Sequence, residues 1–412
     1  MERRHFLLSL AASGMTRAAQ QPPVKITRIT LATIEGRFHK FVAMNSQAAR
    51  PNGHTYNNTL VRIGTDQGVE GIGVMYYTPP DDAYLQALKT LIGANPLDLY
   101  QMSGGRIAGR APSHAAVLTR YMHLDGPLFD LVGKLKNAPC WKLIGDAVRQ
   151  QIEVYDGTLY FSDIWFQDRG VRAVLEEAEE SLKKGYTAMK LKVGRGWRWM
   201  EKDAGIERDL EILRAVRKLA GPKVRILADA NNAYRDDFER AWRFLNETRD
   251  LNLYWIEEIF PESVDWYARL KEHMEKAGMK TLIADGENFG DPRGFEPYLR
   301  PKRLIDVLQM DIRRGGFLGN LEMARLGEPA GAVSVPHNWG SQIGGLMGLH
   351  LSKAVKSVIT AEDDRSTCDT IVAEGYIFKN GSYAVSDAPG LGIRVNQAVY
   401  KEKYQSKEIV VT

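Results

Sequence analysis

The chain has 412 residues, of which 44% are hydrophobic and 26% are charged, so it is long enough for two or three globular domains. The net charge is only +4, and Lys and Arg are scattered without a basic stripe interleaved with aromatic residues, which argues against nucleic acid as a partner. Two cysteines, Cys140 and Cys368, exclude a disulfide framework, and no run after the first 20 residues is long and apolar enough for a stable membrane span in the mature chain.

Residues 1–20 have the pattern of an export signal. The segment contains, in order, the arginine pair Arg3-Arg4, a short apolar stretch from Phe6-Leu7, and small residues of the kind found at signal cleavage sites, Ala18-Ala19. The arginine pair suggests the twin-arginine route, and a chance basic and apolar start is the alternative. We therefore expect a periplasmic or otherwise exported protein whose mature chain begins near residue 20.

Residues 21–148 have the pattern of an α+β domain. Three strand-like runs predict an antiparallel sheet: "VKITRITLATIEG", "NTLVRIG" and "VEGIGVMYY". Helical periodicity follows in two further segments: "DDAYLQALKTLIG" and "PLFDLVGKLKN". Between the first two strands, the loop from Arg37 to Asn57 is long enough to be a lid over a functional site, and a disordered surface connector is the alternative.

From Gln151 onward, strands and amphipathic helices alternate. Eight runs have strand character: "IEVYDGT", "TAMKLKV", "VRILADA", "LYWIEEI", "KTLIADGE", "LIDVLQMD", "AVSVPHN" and "KSVITAED". Eight βα units favour a closed barrel over residues 149–374, with an open doubly wound sheet as the alternative. Residues 375–412 contain no ninth unit, so we expect this tail to fold back on the N-terminal domain.

Ionisable residues are concentrated at the C-terminal ends of seven consecutive predicted strands. They are Lys190 and Lys192, Asp229, Glu257-Glu258, Glu287, Asp311, His337 and Glu362. In a barrel all of these would surround one mouth, which is the face where barrel enzymes place their catalytic residues. A single charged strand end commonly just meets water, but seven in succession predict an active site.

Three of the carboxylates, Asp229, Glu257 and Glu287, follow adjacent strands and should converge. Hard oxygen ligands without cysteine or further histidine favour Mg²⁺ over zinc, and three solvated carboxylates at the rim are the alternative. Asn231 comes two residues after Asp229 and is expected to support the site or to contact substrate.

The run "TAMKLKVG" places Lys190 and Lys192 on the same face of a strand, because side chains alternate across it. At a barrel mouth two crowded ammonium groups would lower each other's pKa toward the range of a general base. Asp311 and His337 follow the sixth and seventh strands on the opposite side, where a carboxylate beside an imidazole makes a competent acid/base, or else a structural hydrogen bond.

The chain resembles the enolase superfamily, and within it the mandelate racemase subgroup. The motifs that carry the resemblance occur in the family's order and at similar spacing: "KLK", "DANN", "WIEE", "GEN", "QMDIRRGG" and "PHNWGS". The resemblance implies a (β/α)7β barrel and an α+β capping domain formed by the N-terminal region and the C-terminal tail. It also implies a Mg²⁺ site and, as a tendency of the family, a homo-oligomer.

The resemblance also assigns roles to individual residues. It implies that Lys192 is the base on one face of the substrate, that Lys190 is its electrostatic neighbour, and that His337, paired with Asp311, acts on the other face. It further implies that Asp229, Glu257 and Glu287 hold Mg²⁺ and that Glu362 hydrogen-bonds the substrate carboxylate as it becomes an enediolate. Two assignments stay open, because "EEIFPE" and "AEDDR" leave Glu258 and Asp363 as alternatives to Glu257 and Glu362.

These residues predict removal of the proton next to a carboxylate, with dehydration of a sugar acid to a 2-keto-3-deoxy acid as the first expectation. A racemase or epimerase that uses the same two groups is the second, and an exported solute-binding relative without catalytic activity is a third. His337 with Asp311 disfavours a muconate-cycloisomerase-like reaction. Specificity is expected in the loop from Arg37 to Asn57, which includes His54, and in Arg313 and Trp339.

Overall fold

A computed structural model describes residues 23–76 and 78–412 of the chain. The export signal predicted for residues 1–20 lies outside the described residues. In the part of the chain that is described, no helix combines the length and apolar character needed to cross a membrane.

The N-terminal region forms most of an α+β cap. Its helices and strands are β1 (Ile26–Val42), β2 (Gly53–Thr65), β3 (Glu70–Tyr76), α1 (Asp82–Lys89), β4 (Tyr100–Ser103), β5 (Arg106–Arg110), α2 (Ala115–Arg120), α3 (Asp125–Leu135) and α4 (Cys140–Ile144). Strands β1, β2 and β3 pair antiparallel, and α3 packs against β3. Buried Ile, Leu and Val from the sheet and from α3 form the core of the cap.

A barrel of eight parallel strands follows the cap. Its strands are β6 (Gln151–Leu159), β7 (Ala188–Lys192), β8 (Arg225–Asp229), β9 (Trp255–Glu257), β10 (Leu282–Asp285), β11 (Val307–Leu308), β12 (Val333–Ser334) and β13 (Ala361–Asp363). The helices between them are α5 (Ser162–Trp165), α6 (Val171–Lys183), α7 (Lys202–Ala220), α8 (Phe238–Glu247), α9 (Val264–Lys276), α10 (Glu296–Leu299), α11 (Ile312–Gly327) and α12 (Gln342–Ala354). Strand β13 pairs with β6, and a bridge from Ser334 to Val358 closes the remaining gap.

Each of the first seven barrel strands is followed by at least one helix, whereas β13 leads directly into the tail. The predicted (β/α)7β architecture is therefore confirmed. The tail contains β14 (Ile371–Ala373), β15 (Ile377–Lys379), β16 (Ser382–Ala384), β17 (Ile393–Val395), α13 (Gln397–Lys403) and β18 (Ile409–Val411). Strand β18 pairs antiparallel with β1, so the tail completes the sheet of the cap as expected.

The predicted loop from Arg37 to Asn57 is mostly strand, and this prediction was wrong. Strand β1 continues to Val42 and β2 begins at Gly53, which leaves only residues 43–52 as the connection. The outer part of the hairpin keeps the alternation of a half-buried strand, because Ile34 and Phe38 are buried while their neighbours are exposed. The hairpin therefore reaches the barrel as a pair of strands, and Phe38 is in one buried cluster with Tyr160.

Candidate active site

The two lysines of β7 both point into the barrel. Every residue of β7 is buried, and the intervening Met189 and Leu191 pack outward in the core between strands and helices. The ammonium of Lys190 lies 2.7 Å from Glu257 Oε1 and 2.9 Å from Glu362 Oε1. These side chains face the mouth of the barrel and not the solvent around it.

Lys192 lies nearer the mouth than Lys190. Its ammonium contacts the carboxylate of Asp229 and lies 5.2 Å from the ring centroid of Tyr160. Burial and the neighbouring Lys190 lower the pKa of Lys192, but Asp229, Tyr160 and Glu287 together raise it more, so the net shift is upward. The expectation that crowding lowers this pKa therefore fails here, because a carboxylate in contact outweighs the second ammonium.

Glu257 and Glu258 point in different directions, because Glu257 ends β9 and Glu258 follows it with a left-handed backbone, φ 45°. Glu257 faces the barrel interior, where its Oε2 accepts hydrogen bonds from Trp255 Nε1 and Gln309 Nε2, both at 3.0 Å. Together with Lys190, these donors occupy both oxygens of Glu257.

Glu258 belongs to a separate carboxylate cluster with Glu262 and Asp285. One oxygen from each of these residues lies within 4.8 Å of the other two, an arrangement that could hold a metal ion. Glu258 accepts hydrogen bonds from the amides of Asn231 at 3.0 Å and Asn288 at 2.7 Å. Burial raises the pKa of Glu258 well above its usual range, and the nearby carboxylates raise it further. This cluster was not predicted, because it depends on Glu262 in a loop whose path the sequence does not define.

Asp229, Glu257 and Glu287 are the predicted metal ligands. Among the described residues, however, they do not form a set in which one carboxylate oxygen from each lies within 4.8 Å of the other two oxygens. Lys192 and Lys190 bind the first two carboxylates, and Glu287 is directed toward His337, whose Nε2 lies 3.2 Å from Glu287 Oε2. This Glu287 oxygen is buried and accepts no hydrogen bond. His337 makes an ion-pair contact with this oxygen but no aligned hydrogen bond, so the oxygen can still accept a hard divalent cation, and the residues present are compatible with Mg²⁺.

His337 and Asp311 form the predicted pair. Their strand ends are joined by a parallel backbone bridge, and His337 Nδ1 lies 2.7 Å from Asp311 Oδ2. Burial lowers the pKa of His337, but Glu287 and Asp311 raise it more, to about 9. The ring therefore carries a proton at neutral pH and directs Nε2 toward Glu287 and Glu362.

Glu362 and Asp363 also face different ways. Glu362 lies inside the barrel between Lys190 and His337, and its Oε2 accepts a hydrogen bond from the backbone N–H of Asn338 at 3.1 Å. Asp363 instead accepts a hydrogen bond from the Tyr186 hydroxyl at 2.6 Å. Of the two alternatives left by the sequence, Glu362 is the one near the predicted catalytic groups.

The four predicted substrate residues lie in different surroundings. Asn231 donates to Glu258, as described above, and His54 is exposed at the edge of Phe41. Arg313 is buried and ion-paired to Asp311, with Nη2 to Oδ2 at 3.0 Å. Trp339 is half-buried near the mouth, so it is the predicted substrate residue best placed to meet a ligand.

Sequence reasoning missed an aromatic stack that covers one side of the mouth. Trp339 lies between Phe38 and Tyr160, with ring centroids 4.9 Å and 4.7 Å away and interplanar angles of 24° and 28°. Phe38 comes from the hairpin and Tyr160 follows β6. The alternation "GRFHKFV" could have indicated the strand that carries Phe38. Because Tyr160 also covers Lys192, the stack limits the access of water to this ammonium.

Comparisons with known proteins agree with this architecture. The family model described as enolase C-terminal domain-like matches residues 173–399. A D-xylonate dehydratase of Haloferax volcanii is 27% identical over 360 residues, covering 82% of this chain and 83% of that protein.

Two solved structures are also similar. A galacturonate dehydratase from Geobacillus sp., in complex with D-galacturonate and 5-keto-4-deoxy-D-galacturonate, is 30% identical, with a TM-score of 0.81 over 95% of this chain and 100% of that chain. A mandelate racemase/muconate lactonizing protein from Geobacillus sp. Y412MC10, complexed with magnesium and tartrate, is 31% identical, with a TM-score of 0.80 over 93% of this chain and 95% of that chain.

Proposed function

The chain belongs to the enolase superfamily, and from this premise we propose that it is a Mg²⁺-dependent dehydratase of a sugar acid. The reaction would remove the proton next to the carboxylate and release a 2-keto-3-deoxy acid. Relatives that act as dehydratases of D-xylonate and galacturonate support this substrate class. A racemase or epimerase of a 2-hydroxy acid is the second candidate, since it would use the same two proton-transfer groups.

One observation carries the proposal: a lysine pair and a histidine–aspartate pair lie on either side of the same buried carboxylates. Glu362 lies 2.9 Å from Lys190 and 3.9 Å from His337, so the two pairs flank the same carboxylate at the barrel mouth. A site for simple binding does not require a proton donor and a proton acceptor on opposite faces. This geometry supports catalysis over the non-catalytic alternative.

The proton transfers follow from these residues. Lys192 acts as the base in its neutral form, which it reaches by losing its proton and giving up the ion pair to Asp229. It then accepts the proton at C2, and the electron pair of the broken C–H bond moves into the substrate carboxylate. Protonated His337 then donates to the hydroxyl at C3, the C–O bond breaks, and water leaves. Tautomerisation of the resulting enol gives the 2-keto acid. Reprotonation of C2 from the His337 side, in place of elimination, would give epimerisation.

Negative charge develops on the substrate carboxylate during the first step. The ammonium of Lys190 stabilises this charge. Burial raises the pKa of Glu362, but Lys190 and His337 lower it more, so a hydrogen bond from Glu362 to the carboxylate requires protonation against this shift. A divalent ion, when bound by Asp229, Glu257 and Glu287, supplies the additional positive charge that makes such a weak carbon acid reactive. Glu258 is the alternative ligand, because no lysine or arginine is paired with it among the described residues.

The direct test is incubation with Mg²⁺ in deuterated water and a panel of aldonic, uronic and aldaric acids. We expect solvent deuterium next to the carboxylate and release of a keto-deoxy acid from at least one acid. Exchange without keto product would favour the epimerase. If a metal-loaded sample shows neither exchange nor keto product, the proposed function is contradicted. Lys192→Met and His337→Asn should each abolish product release, whereas Lys202→Met, an exposed control on α7, should not.

The metal ligands need their own experiment. Glu257→Gln, Glu258→Gln and Glu262→Gln can be compared by isothermal titration with Mg²⁺, which measures affinity without turnover. We expect at least ten-fold weaker binding for the variant at a direct ligand, and the smallest change for Glu262→Gln. Wild-type affinity in both the Glu257→Gln and the Glu258→Gln variants would exclude both residues as ligands.

We also infer that the protein is exported through the twin-arginine signal and assembles into a homo-oligomer. Replacement of the arginine pair by lysines should retain the protein in the cytoplasm, which cell fractionation measures. Light scattering of the purified protein should give a mass above the 46.3 kDa of one chain.

A further inference from the structure

We propose that Tyr76 and Arg313 are positioning residues that hold Asp311 in place so that His337 can act as the acid/base. Tyr76 comes from the last residue of β3 in the cap, and Arg313 lies in the first turn of α11. The inference rests on the proposed function, because it assigns these residues to the half of the reaction at His337.

Asp311 accepts more hydrogen bonds than a histidine partner requires. Its Oδ2 accepts from His337 Nδ1 at 2.7 Å, from Arg313 Nη2 at 3.0 Å and from the Tyr76 hydroxyl. Its Oδ1 accepts from the backbone N–H of Arg313 at 2.7 Å. With both oxygens bound, the carboxylate cannot rotate without breaking several charge-assisted hydrogen bonds. The orientation of the imidazole is therefore set by the cap as well as by the barrel.

Tyr76 and Arg313 also hold each other. The guanidinium carbon of Arg313 lies 3.8 Å from the ring centroid of Tyr76, an arrangement typical of a cation–π contact. Arg313 is only 5% exposed, and its charge is paired with Asp311. Burial and Asp311 raise the pKa of Tyr76, so its hydroxyl stays a donor. Arg313 is thus better placed to hold Asp311 than to bind a substrate, which is the role predicted for it from sequence.

A cavity of about 370 Å³ lies behind this pair, between the cap and the barrel. Arg313, Tyr76 and the exposed Arg314 are among the residues that line it. The guanidinium position can therefore be reached from the side away from the catalytic lysines. A small cation added to the solution could fill the space that an arginine-to-alanine substitution leaves.

The test compares kinetic constants of Tyr76→Phe, Arg313→Ala and Arg314→Ala with those of the wild type. Arg314 is the matched control, because its side chain also stacks on Tyr76, at 4.7 Å, but is exposed and has no hydrogen bond to the Asp311 carboxylate; its backbone N–H, which donates to the Asp311 carbonyl, is kept in the variant. We expect kcat to fall about ten-fold in Tyr76→Phe and about thirty-fold in Arg313→Ala, with KM within two-fold. Arg314→Ala should stay within two-fold in both constants.

Chemical rescue separates positioning from folding. Millimolar guanidinium should restore at least a quarter of the lost activity of Arg313→Ala and should not affect Tyr76→Phe. Unchanged kcat in both variants would overturn the proposal. An increase of KM for Arg313→Ala with unchanged kcat would also overturn it, since that result would make Arg313 a substrate-binding residue.

A readout that does not depend on turnover keeps this inference separate from the proposed function. The signal is the Nδ1–H proton of His337 in the ¹H NMR spectrum of protein with ¹⁵N-labelled histidine. It is assigned by its absence from the spectrum of His337→Asn. We expect this signal to move upfield and broaden in Tyr76→Phe. If the wild type has no activity on any acid, the proposed function fails, but this signal still tests the positioning. A signal identical in the wild type and Tyr76→Phe would refute it.

Discussion

Replacement of Arg195 by methionine should destabilise the barrel strongly, because this arginine is a buried cation between two buried carboxylates. Its side chain is 1% exposed, Nη2 donates to Asp163 Oδ1 at 2.7 Å, and Nη1 contacts Asp209. Nη1 also lies 3.3 Å from the backbone oxygen of Lys192. Asp163 has a second cation 3.5 Å away in Arg208, whereas Arg195 is the only one paired with Asp209 among the described residues.

The expected loss in the free energy of unfolding depends on the Asp209 carboxylate, which the substitution leaves buried without a cation. Removing one partner of a buried ion pair costs about 3–5 kcal/mol. Backbone N–H groups of Gly194 and Arg195 still bind Asp209, at 2.7 Å and 3.2 Å. Burial already raises the pKa of Asp209 to about 6 although Arg195 lowers it, so this carboxyl can take up a proton when the cation is lost. We therefore expect the lower end of the range, about 3 kcal/mol.

Urea unfolding at pH 7.5, followed by tryptophan fluorescence and circular dichroism, measures this difference. Arg195→Met/Asp209→Asn should recover at least half of the loss, because the uncompensated carboxylate is then absent. Arg325→Met is the control, since Arg325 is exposed on α11. If Arg195→Met unfolds within about 0.5 kcal/mol of the wild type, or if the double variant is no more stable than the single one, the argument is refuted.

Three further outcomes are expected. Burial lowers the pKa of His350 to about 3, below the value of 6.5 in the unfolded chain. The stability that the neutral ring contributes is therefore complete above pH 6.5 and is lost as the pH falls. Urea unfolding should show a free energy of unfolding about 2 kcal/mol lower at pH 5, and His350→Leu should remove this dependence. Trp339→Ala should raise KM for the sugar acid about ten-fold with kcat nearly unchanged, while Trp339→Phe keeps most of the affinity; a fall in kcat alone would contradict this role. Gly157→Ala would place a Cβ 2.6 Å from Glu362 Oε1 and 3.2 Å from its Cγ, so Glu362 must shift and kcat should fall at least ten-fold without loss of helical circular dichroism. A fully active variant would show that the reaction does not depend on this position of the Glu362 carboxylate.

The barrel could be predicted from the sequence because its signals are local. Alternation within "TAMKLKVG" placed Lys190 and Lys192 on one face, and the structure has both inside the barrel. The recurrence of charged strand ends then gathered His337 and Asp311 at the same mouth. These features depend only on the two-residue period of a strand and on the rule that parallel strands end on one face.

The contacts that tune the site could not be predicted in this way. Tyr76 and Asp311 are 235 residues apart, and their hydrogen bond depends on how the cap sits on the barrel. The cluster of Glu258, Glu262 and Asp285 requires a loop to bring Glu262 back to the strand ends. No periodicity encodes such a contact, since it results from tertiary packing over long separations in sequence.

The difference between the two lysines also comes from depth in the barrel and not from the sequence pattern. The ammonium of Lys190 lies within 3.4 Å of three carboxylates, those of Asp229, Glu257 and Glu362. Lys192 is about 6.6 Å further along the strand toward the mouth, and in the part of the chain that the structure describes it has a salt bridge only to Asp229. Three negative charges hold the proton on Lys190, whereas Lys192 can lose its proton at the expense of one ion pair, and the positive charge of Lys190 favours that loss. The base should therefore be Lys192, with Lys190 as a permanent cation beside it.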